Sequence, residues 1–272
     1  MGMTKGEKGG FILASEAGTG KTYVLAGAIQ EILSKDPDVE VIYVTLNKDP
    51  LVSQVKKDMS AFEIGNKPTS SFVHFLTYSG LAMYGDQEGT SSDPSVIAAH
   101  EAIADENKRV LLILDEPHSD TAGAKNLGPD GRGSQIQRAI GDIQANNRNG
   151  MVVFSSATPF KNPGDARYMA STEIFGPPKH FDGVDENGNK TKSGTISGYD
   201  HWLLQFGGNV SVDPKTGKLM VRWEEARTPD LQERKAKESQ GALEWFIKRG
   251  LATRRLRTIP VKAGKKNWVE MS

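Results

Sequence analysis

The sequence predicts an α/β fold, in which helices cover both faces of a doubly wound parallel sheet, followed by a small C-terminal α+β extension. Short apolar runs suited to buried strands alternate with longer segments whose apolar residues recur at helical spacing. At 110–114 the apolar run is continuous, as is typical of a strand buried on both faces of a parallel sheet. From Gly176 onward this alternation stops. We therefore expect one domain at residues 1–176 and an extension at residues 177–272.

The predicted elements follow one another in a regular order. In the first domain, apolar runs predict strands at 10–14, 40–45, 71–78, 109–114 and 151–155. Helical spacing predicts helices at 23–33, 49–59, 95–104 and from Ser134 through Ile143. In the extension, the pattern predicts a polar surface excursion at 182–194, a hairpin from 210–212 and 219–223, a charged helix from Asp230 and an edge strand at 254–261 in the basic tail.

A glycine-rich segment lies between the first predicted strand and the first predicted helix, where residues 15–22 read SEAGTGKT. Backbone N–H groups of Gly18, Thr19 and Gly20 are expected to point at one position, to which the positive end of the helix adds. Lys21 is then expected to reach the terminal phosphates of a nucleotide, and the Thr22 hydroxyl to ligate Mg²⁺. The strict pattern begins with glycine, where this chain has serine. The strand before and the helix after the segment favour a phosphate-binding loop.

A second motif follows the apolar run at 109–114, where residues 115–118 read DEPH. Acidic groups at the carboxyl end of a central strand can place a metal ion and an attacking water. Asp115 is predicted to hold the metal, and Glu116 to orient or deprotonate the water, so that Lys21, Asp115 and Glu116 form the catalytic set. The alternative is a solvated turn, since Asp and Pro are turn formers. The phosphate-binding loop in the same chain favours the catalytic interpretation.

Small or hydrogen-bonding side chains follow three other predicted strands. Thr45 and Asn47 follow the second strand, Thr77 the third, and Ser156 and Thr158 the fifth. An α/β sheet gathers its ligands at the carboxyl ends of its strands, although each residue taken singly is more often a strand-end cap.

The composition is that of a soluble protein, and we expect a cytoplasmic location, or a nuclear one if the source has a nucleus. The chain has no cysteine, its five histidines are scattered, and no apolar run approaches membrane-spanning length. Lysine and arginine balance aspartate and glutamate at 34 each, yet between Asp213 and Ser272 fifteen basic residues stand against eight acidic ones. This basic region suits contact with a polyanion or, alternatively, forms a solvated helix face.

Taken in order, these segments resemble the first motor domain of superfamily 2 helicases and translocases. The GTGKT loop, the DEPH box and the SAT segment at 156–158 are similar to motifs I, II and III of that superfamily, although Pro117 stands where alanine is usual. The segments 153–158, 163, 167–170 and 174–176 are closer to the strawberry notch family of helicase-like ATPases, as is the tail from Phe246 to Arg257. The resemblance covers nearly the whole chain.

The resemblance implies a RecA-like P-loop NTPase that binds ATP and Mg²⁺. It implies that Thr45, Asn47 and Thr77 contact the backbone of a nucleic acid, DNA in preference to RNA, and that Ser156 and Thr158 couple nucleotide chemistry to strand binding. Such motors hydrolyse ATP between two RecA-like lobes, and the second lobe supplies arginines to the phosphates. A Gln-x-x-Gly-Arg type segment is not found in this sequence. We therefore expect one lobe that needs a second, in cis or in trans, and that hydrolyses ATP poorly alone.

Three functions remain open at this point. The first is the ATP-binding lobe of a nucleic-acid-dependent ATPase, and the second is a nucleotide-dependent binding or scaffold module without motor activity of its own. The third is a metabolic P-loop kinase, which would need an acceptor pocket and a lid. Stimulation of ATP hydrolysis by nucleic acid separates the first function from the other two.

Overall fold

The computed structural model describes residues 9–16, 18–46, 49–84, 91–118, 132–146, 150–160, 162–184, 190–212, 217–223, 230, 231, 233, 237 and 241–255. Within these ranges the strands are β1 (Gly9–Ser15), β2 (Val39–Thr45), β3 (Glu63–Ile64), β4 (Lys67–Pro68), β5 (Val73–Thr77), β6 (Arg109–Asp115), β7 (Met151–Ser156), β8 (Lys179–Val184), β9 (Lys190–Ile196), β10 (Asn209–Val212), β11 (Leu219–Arg222) and β12 (Ala252–Arg255). The helices are α1 (Lys21–Lys35), α2 (Asp49–Met59), α3 (Tyr78–Ala82), α4 (Pro94–Ala104), α5 (Arg132–Asn146), α6 (Gly198–Gln205) and α7 (Ala242–Lys248). Among the described residues, no helix is long and apolar enough to cross a bilayer.

Six of these strands form one all-parallel sheet in the order β12-β1-β7-β6-β2-β5. Strand β1 lies beside β7, and the chain passes through α1 to β2 on the far side of β6. Parallel strands require such crossover connections, which helices usually supply. The sheet confirms the predicted α/β fold.

Alternate residues of the strands face two separate layers of helices, because successive side chains of a strand point to opposite faces. One face packs against α1 and α2 and contributes Leu13, Val41, Tyr43, Phe75, Leu111, Ile113 and Val153. The other face packs against α3, α4 and α5 and contributes Ile12, Ala14, Ile42, Val44, Leu76, Leu112, Leu114 and Phe154. Both faces are therefore covered, which explains the nearly continuous apolar runs in the sequence.

Residues beyond 176 contribute to this sheet and to its core. Strand β12 pairs with β1, and the N–H of Ile12 donates to the carbonyl of Leu251 at 2.8 Å. The fully buried rings of Trp202 and Phe246 lie 5.0 and 5.5 Å, centroid to centroid, from the ring of Phe175. The domain boundary between residues 176 and 177 stays a prediction. Separating the two predicted domains would break these contacts.

Several local elements differ from the sequence predictions. The excursion predicted at 182–194 overlaps the antiparallel hairpin of β8 and β9, and α6 was not predicted. The strand predicted at 71–78 corresponds to β5, which begins only at Val73 because Thr69–Phe72 is a 3-10 turn. The predicted hairpin of β10 and β11 is confirmed, and its four residue pairs run from Asn209–Arg222 to Val212–Leu219. The predicted edge strand starts two residues earlier, and its part at 256–261 lies outside the described residues, as does most of the helix from Asp230.

Candidate nucleotide site at the carboxyl edge of the sheet

The ends of the central strands bring the predicted loop and the acidic motif together. Strands β1, β7 and β6 are neighbours and run parallel, so their carboxyl ends meet at one edge of the sheet. Asp115 pairs with Ser155 in the register, and Ala14 pairs with Ser156. The loop after β1 therefore lies beside the residues that follow β6 and β7.

The glycine-rich loop leads into α1 through two left-handed residues. Gly18 has φ of 75° and Gly20 has φ of 80°, and side chains rarely adopt such backbone angles. Thr19 closes the turn, because its N–H and its hydroxyl both donate to the carbonyl of Glu16, at 3.3 and 2.7 Å. Gly20 occupies the N-cap position of α1, where it has no side chain to occupy the first N–H groups of the helix. The loop and the helix end thus offer backbone donors to an anion.

Lys21, the first residue of α1, forms an ion pair with Glu116. Its Nζ lies 2.5 Å from Oε1 of Glu116, and the two side chains are only 14% and 29% exposed. The two residues are 95 positions apart in the chain, so the contact joins the glycine-rich loop directly to the acidic motif.

Glu116 is also held by the segment that follows β7. Its Oε2 accepts a hydrogen bond from Ser156 Oγ at 2.8 Å, and its Oε1 accepts one from the N–H of Ala157 at 3.3 Å. Burial acts to raise the pKa of Glu116, but Lys21, Ser156 and Ala157 stabilise the carboxylate and hold the pKa below its ordinary value. Glu116 is therefore ionised at neutral pH, as a base that accepts a proton must be.

The backbone of Glu116 adopts a left-handed conformation, with φ of 51°. Its N–H donates to the carbonyl of Ser155 at 2.7 Å, which fixes the turn at the end of β6. A non-glycine residue in this region costs about 1 to 2 kcal/mol. Such strain concentrates at functional sites, and here it aims the carboxylate at Lys21.

Asp115 lies deeper in the same edge and has a different environment. Its Oδ1 accepts a hydrogen bond from Ser155 Oγ at 3.0 Å, and its backbone carbonyl accepts one from Tyr78 at 2.9 Å. Burial, and then the charge of Glu116, raises the pKa of Asp115 above its ordinary value, against the opposing contacts with Ser155, Lys21 and Tyr43. A cation bound at this carboxylate would favour its ionised form and therefore lower the pKa of Asp115.

His118 joins the acidic motif to the SAT segment, and the sequence analysis did not select it. Its Nδ1 lies 2.9 Å from Ser156 Oγ and its Nε2 lies 3.3 Å from Thr158 Oγ1. Ser156 Oγ also accepts a hydrogen bond from the N–H of Thr158 at 3.0 Å. The sequence signal for His118 is its place as the fourth residue of the DEPH motif, because a histidine at that position lies near the ends of the same strands.

The donor set fits Mg²⁺ bound together with a polyphosphate. Thr22 lies next to Lys21 in the first turn of α1, and Asp115 lies behind Glu116 at the same edge. Mg²⁺ is usually bound by one or two protein oxygens together with substrate phosphates, rather than by a cage of protein ligands. The described residues contain no group of three or more His, Asp or Glu side chains that could hold a metal alone.

Of the residues predicted to contact nucleic acid, Thr45 is buried and Thr77 already has a hydrogen-bond partner. Thr45 and Thr77 are register partners at the ends of β2 and β5, but Thr45 is only 2% exposed. The Thr77 hydroxyl accepts a hydrogen bond from the N–H of Gly80 at 3.1 Å and so caps α3. Asn47 lies outside the described residues. The capping role of Thr77 is therefore present, while the role of these residues with nucleic acid stays a prediction.

A parallel sheet with a glycine-rich loop between β1 and α1, and with a carboxylate pair at the end of β6, which β7 separates from β1, defines a P-loop nucleoside triphosphatase domain. The chain belongs to the family of P-loop containing NTP hydrolases described as pore-1, whose model matches residues 1–202. This match includes the loop, the acidic motif and the SAT segment, and the six-stranded sheet is consistent with a RecA-like fold.

Two curated relatives support the predicted resemblance to the strawberry notch family. Human protein strawberry notch homolog 2 is 26% identical over 200 residues, which are 68% of this chain and 14% of the relative. The mouse protein of the same name is 24% identical over 187 residues, which are 64% of this chain and 13% of the relative. The chain thus covers about one seventh of the length of these relatives. The resemblance to a strawberry notch-like P-loop domain is confirmed, at the level of the domain.

Proposed function

We propose that this domain is the ATP-binding lobe of a nucleic-acid-dependent ATPase of the helicase or translocase type. The observation that carries the proposal is the unbroken line of contacts from Lys21 to Glu116, and from Glu116 to Ser156. This line joins the phosphate loop, the acidic motif and the SAT segment through two direct contacts. A change at the phosphates can therefore reach the end of β7 without passing through the core.

Each residue of the site has a distinct proposed task. Lys21 leaves Glu116 for the terminal phosphates of ATP, while Gly18 and Gly20 direct backbone N–H groups at the phosphate chain and Thr19 closes the loop on the carbonyl of Glu16. The Thr22 hydroxyl and Asp115 hold Mg²⁺, which neutralises charge on the phosphates when it is bound. Glu116, which Lys21 has released, orients the attacking water and accepts its proton.

The coupling to a second partner is proposed to run through Ser156 and Thr158. Ser156 Oγ contacts Glu116, His118 and the N–H of Thr158, so a displacement of Glu116 changes all of these contacts. We propose that a nucleic acid strand, DNA in preference to RNA, lies along the carboxyl edge near Thr45, Asn47 and Thr77. Short hydroxyl and amide side chains suit contacts to a sugar-phosphate backbone.

A second RecA-like lobe, in cis or in trans, is proposed to complete the catalytic site. Arginines supplied to the transferring phosphate raise phosphoryl-transfer rates by about a thousandfold or more. Turnover by this domain alone is therefore expected to be slow, and the coupling between ATP and nucleic acid is best measured by binding as well as by hydrolysis.

The test measures both quantities on the 272-residue chain. The affinity of a labelled single-stranded DNA is determined by fluorescence anisotropy with and without Mg²⁺-ATP, and ATP hydrolysis is measured with and without the same strand. We expect ATP to change the DNA affinity several-fold, the strand to stimulate hydrolysis, and an RNA of the same sequence to act more weakly. We also expect DNA affinity to fall as salt rises, since backbone contacts release counterions.

ATP binding with no response to either nucleic acid would overturn the motor proposal and favour a nucleotide-dependent binding module. Absence of ATP binding would overturn both. The change in DNA affinity on addition of ATP reports the coupling free energy between the two sites. ATP must change the DNA affinity by the same factor by which DNA changes the ATP affinity.

A further inference from the structure

An exposed aromatic ring lies beside the phosphate loop, and the site described above leaves it without a task. Tyr23 is the third residue of α1, directly after Thr22, and it is 48% exposed. Its Cδ2 atom lies 4.0 Å from the position that a Cβ on Gly20 would occupy. Long side chains on a helix lean toward its N-terminus, so the ring is directed back along the loop.

A second aromatic residue holds this ring from behind. The rings of Tyr23 and Phe62 lie 6.1 Å apart, centroid to centroid, at an angle of 57°. Phe62 also lies against α1 at Gly27, one turn after Tyr23, where a Cβ would meet Cε1 of Phe62 at 3.7 Å, an ordinary van der Waals distance. The pair is tilted and leaves about half of the Tyr23 side chain open to solvent.

The backbone around Phe62 is fixed to the domain core, so the platform is formed before any ligand arrives. The carbonyl of Phe62 accepts hydrogen bonds from the N–H and the hydroxyl of Thr69, at 2.7 and 3.0 Å, and Thr69 is fully buried. The next carbonyl, that of Glu63, accepts a hydrogen bond from the side chain of Gln30 on α1 at 2.6 Å. A ring held in this way loses little conformational freedom on binding.

We infer that Tyr23, supported by Phe62, is the stacking platform for the base of the nucleotide whose phosphates occupy the loop. The inference rests on the proposed function, because it assumes that the phosphates lie at Gly18 to Thr22. Phosphates, sugar and base form one covalent chain, so the base must lie close to the rim of the loop, where Tyr23 presents an exposed aromatic ring. Stacking is tolerant of base identity, so the platform is not expected to discriminate between ATP and GTP.

The test compares a nucleotide with its phosphate chain alone. Mg²⁺-ATP and Mg²⁺-tripolyphosphate are titrated by calorimetry into the 272-residue chain and into its Tyr23→Ala, Tyr23→Phe and Ile97→Ala variants. Ile97 is the matched control, because it is 43% exposed on α4, a helix that packs on the other face of the sheet. Thermal unfolding of each variant shows whether the fold is retained.

We expect Tyr23→Ala to weaken ATP binding roughly tenfold, which is about 1.4 kcal/mol, and to leave tripolyphosphate binding within about twofold. Tyr23→Phe keeps the ring and should bind ATP within about twofold of the unaltered chain, and Ile97→Ala should bind both ligands normally. GTP should lose affinity in the Tyr23→Ala variant by a similar factor.

An equal loss for ATP and tripolyphosphate would overturn the inference, because it would make Tyr23 a residue that shapes the loop. An unchanged ATP affinity would overturn it too, and if single-stranded DNA affinity fell instead, the ring would belong to the strand site. Binding of tripolyphosphate as tight as that of ATP in the unaltered chain would remove the base subsite and leave the phosphate site standing. Failure of the unaltered chain to bind either ligand would overturn the proposed function itself.

Discussion

Replacing Glu116 with glutamine should tighten ATP binding while it removes hydrolysis. Glu116 holds Lys21 at 2.5 Å, so ATP must take the lysine from the carboxylate. Glutamine preserves the shape of the side chain. Its amide oxygen can accept hydrogen bonds from Lys21 and from the N–H of Ala157, and its amide nitrogen can donate to Ser156 Oγ.

The size of the effect follows from the environment of the ion pair. Both side chains are mostly buried, at 14% and 29% exposure, so solvent screens the pair less than it screens a surface salt bridge. A hydrogen bond to a charged group contributes about 1.5 to 3 kcal/mol, and the lower end applies because both groups keep some solvent contact. We therefore expect about tenfold tighter ATP binding in Glu116→Gln. Loss of the proton acceptor should lower the rate of hydrolysis by about 10² to 10⁴.

The assay pairs calorimetric titration of Mg²⁺-ATP with single-turnover hydrolysis of labelled ATP. Glu40→Gln is the matched control, since Glu40 is also 29% exposed and pairs with Lys108 at 2.7 Å, near the start of β2 and away from the site. This control should leave both quantities unchanged. Weaker ATP binding in Glu116→Gln would refute the competition for Lys21, and unchanged hydrolysis would place the proton acceptor elsewhere.

Two further substitutions test the neighbouring residues. Asp115→Asn should raise the melting temperature at pH 7 and abolish Mg²⁺-dependent ATP binding, since the raised pKa of Asp115 means that its ionised form destabilises the fold. This penalty is present above the raised pKa and fades as the pH falls toward the ordinary value of 3.8, so the gain should shrink as the pH is lowered from 7 toward 3.8; a gain independent of pH would contradict the assignment. Ser156→Ala should change ATP affinity less than about threefold, but it should reduce the stimulation of hydrolysis by single-stranded DNA, because it removes the contacts to Glu116 and to the N–H of Thr158. Full stimulation in that variant would exclude Ser156 from the coupling.

The central sheet was predictable because each of its buried strands carries a local signal. The apolar runs that end at Thr45 and Asp115 are short, rich in aliphatic residues and bounded by polar turns, and both proved to be strands. The hairpin of β8 and β9 has no such signal, because its strands are rich in glycine, lysine and threonine. The two strands satisfy their backbone hydrogen bonds by pairing with each other, and composition alone does not show which segments pair.

The site was predictable as a set of residues but not as a set of contacts. The motifs selected Lys21, Glu116 and Ser156 separately, and each of them lies at the carboxyl edge. The ion pair across 95 positions and the bridging role of His118 depend on the order of the strands, which the sequence does not state. The burial that separates Thr45 from solvent is likewise a property of its neighbours on the sheet, not of threonine at a strand end.

The most direct test of the account is calorimetric titration of Mg²⁺-ATP into the unaltered chain and into Lys21→Ala. The account predicts measurable binding by the unaltered chain and a loss of at least about 100-fold in the variant, because no other side chain in the described part of the loop at residues 18–22 carries a positive charge. Lys108→Ala is the control, since it removes the lysine that pairs with Glu40 and should leave ATP binding intact. Unchanged affinity in a correctly folded Lys21→Ala variant would contradict the nucleotide site and every role derived from it.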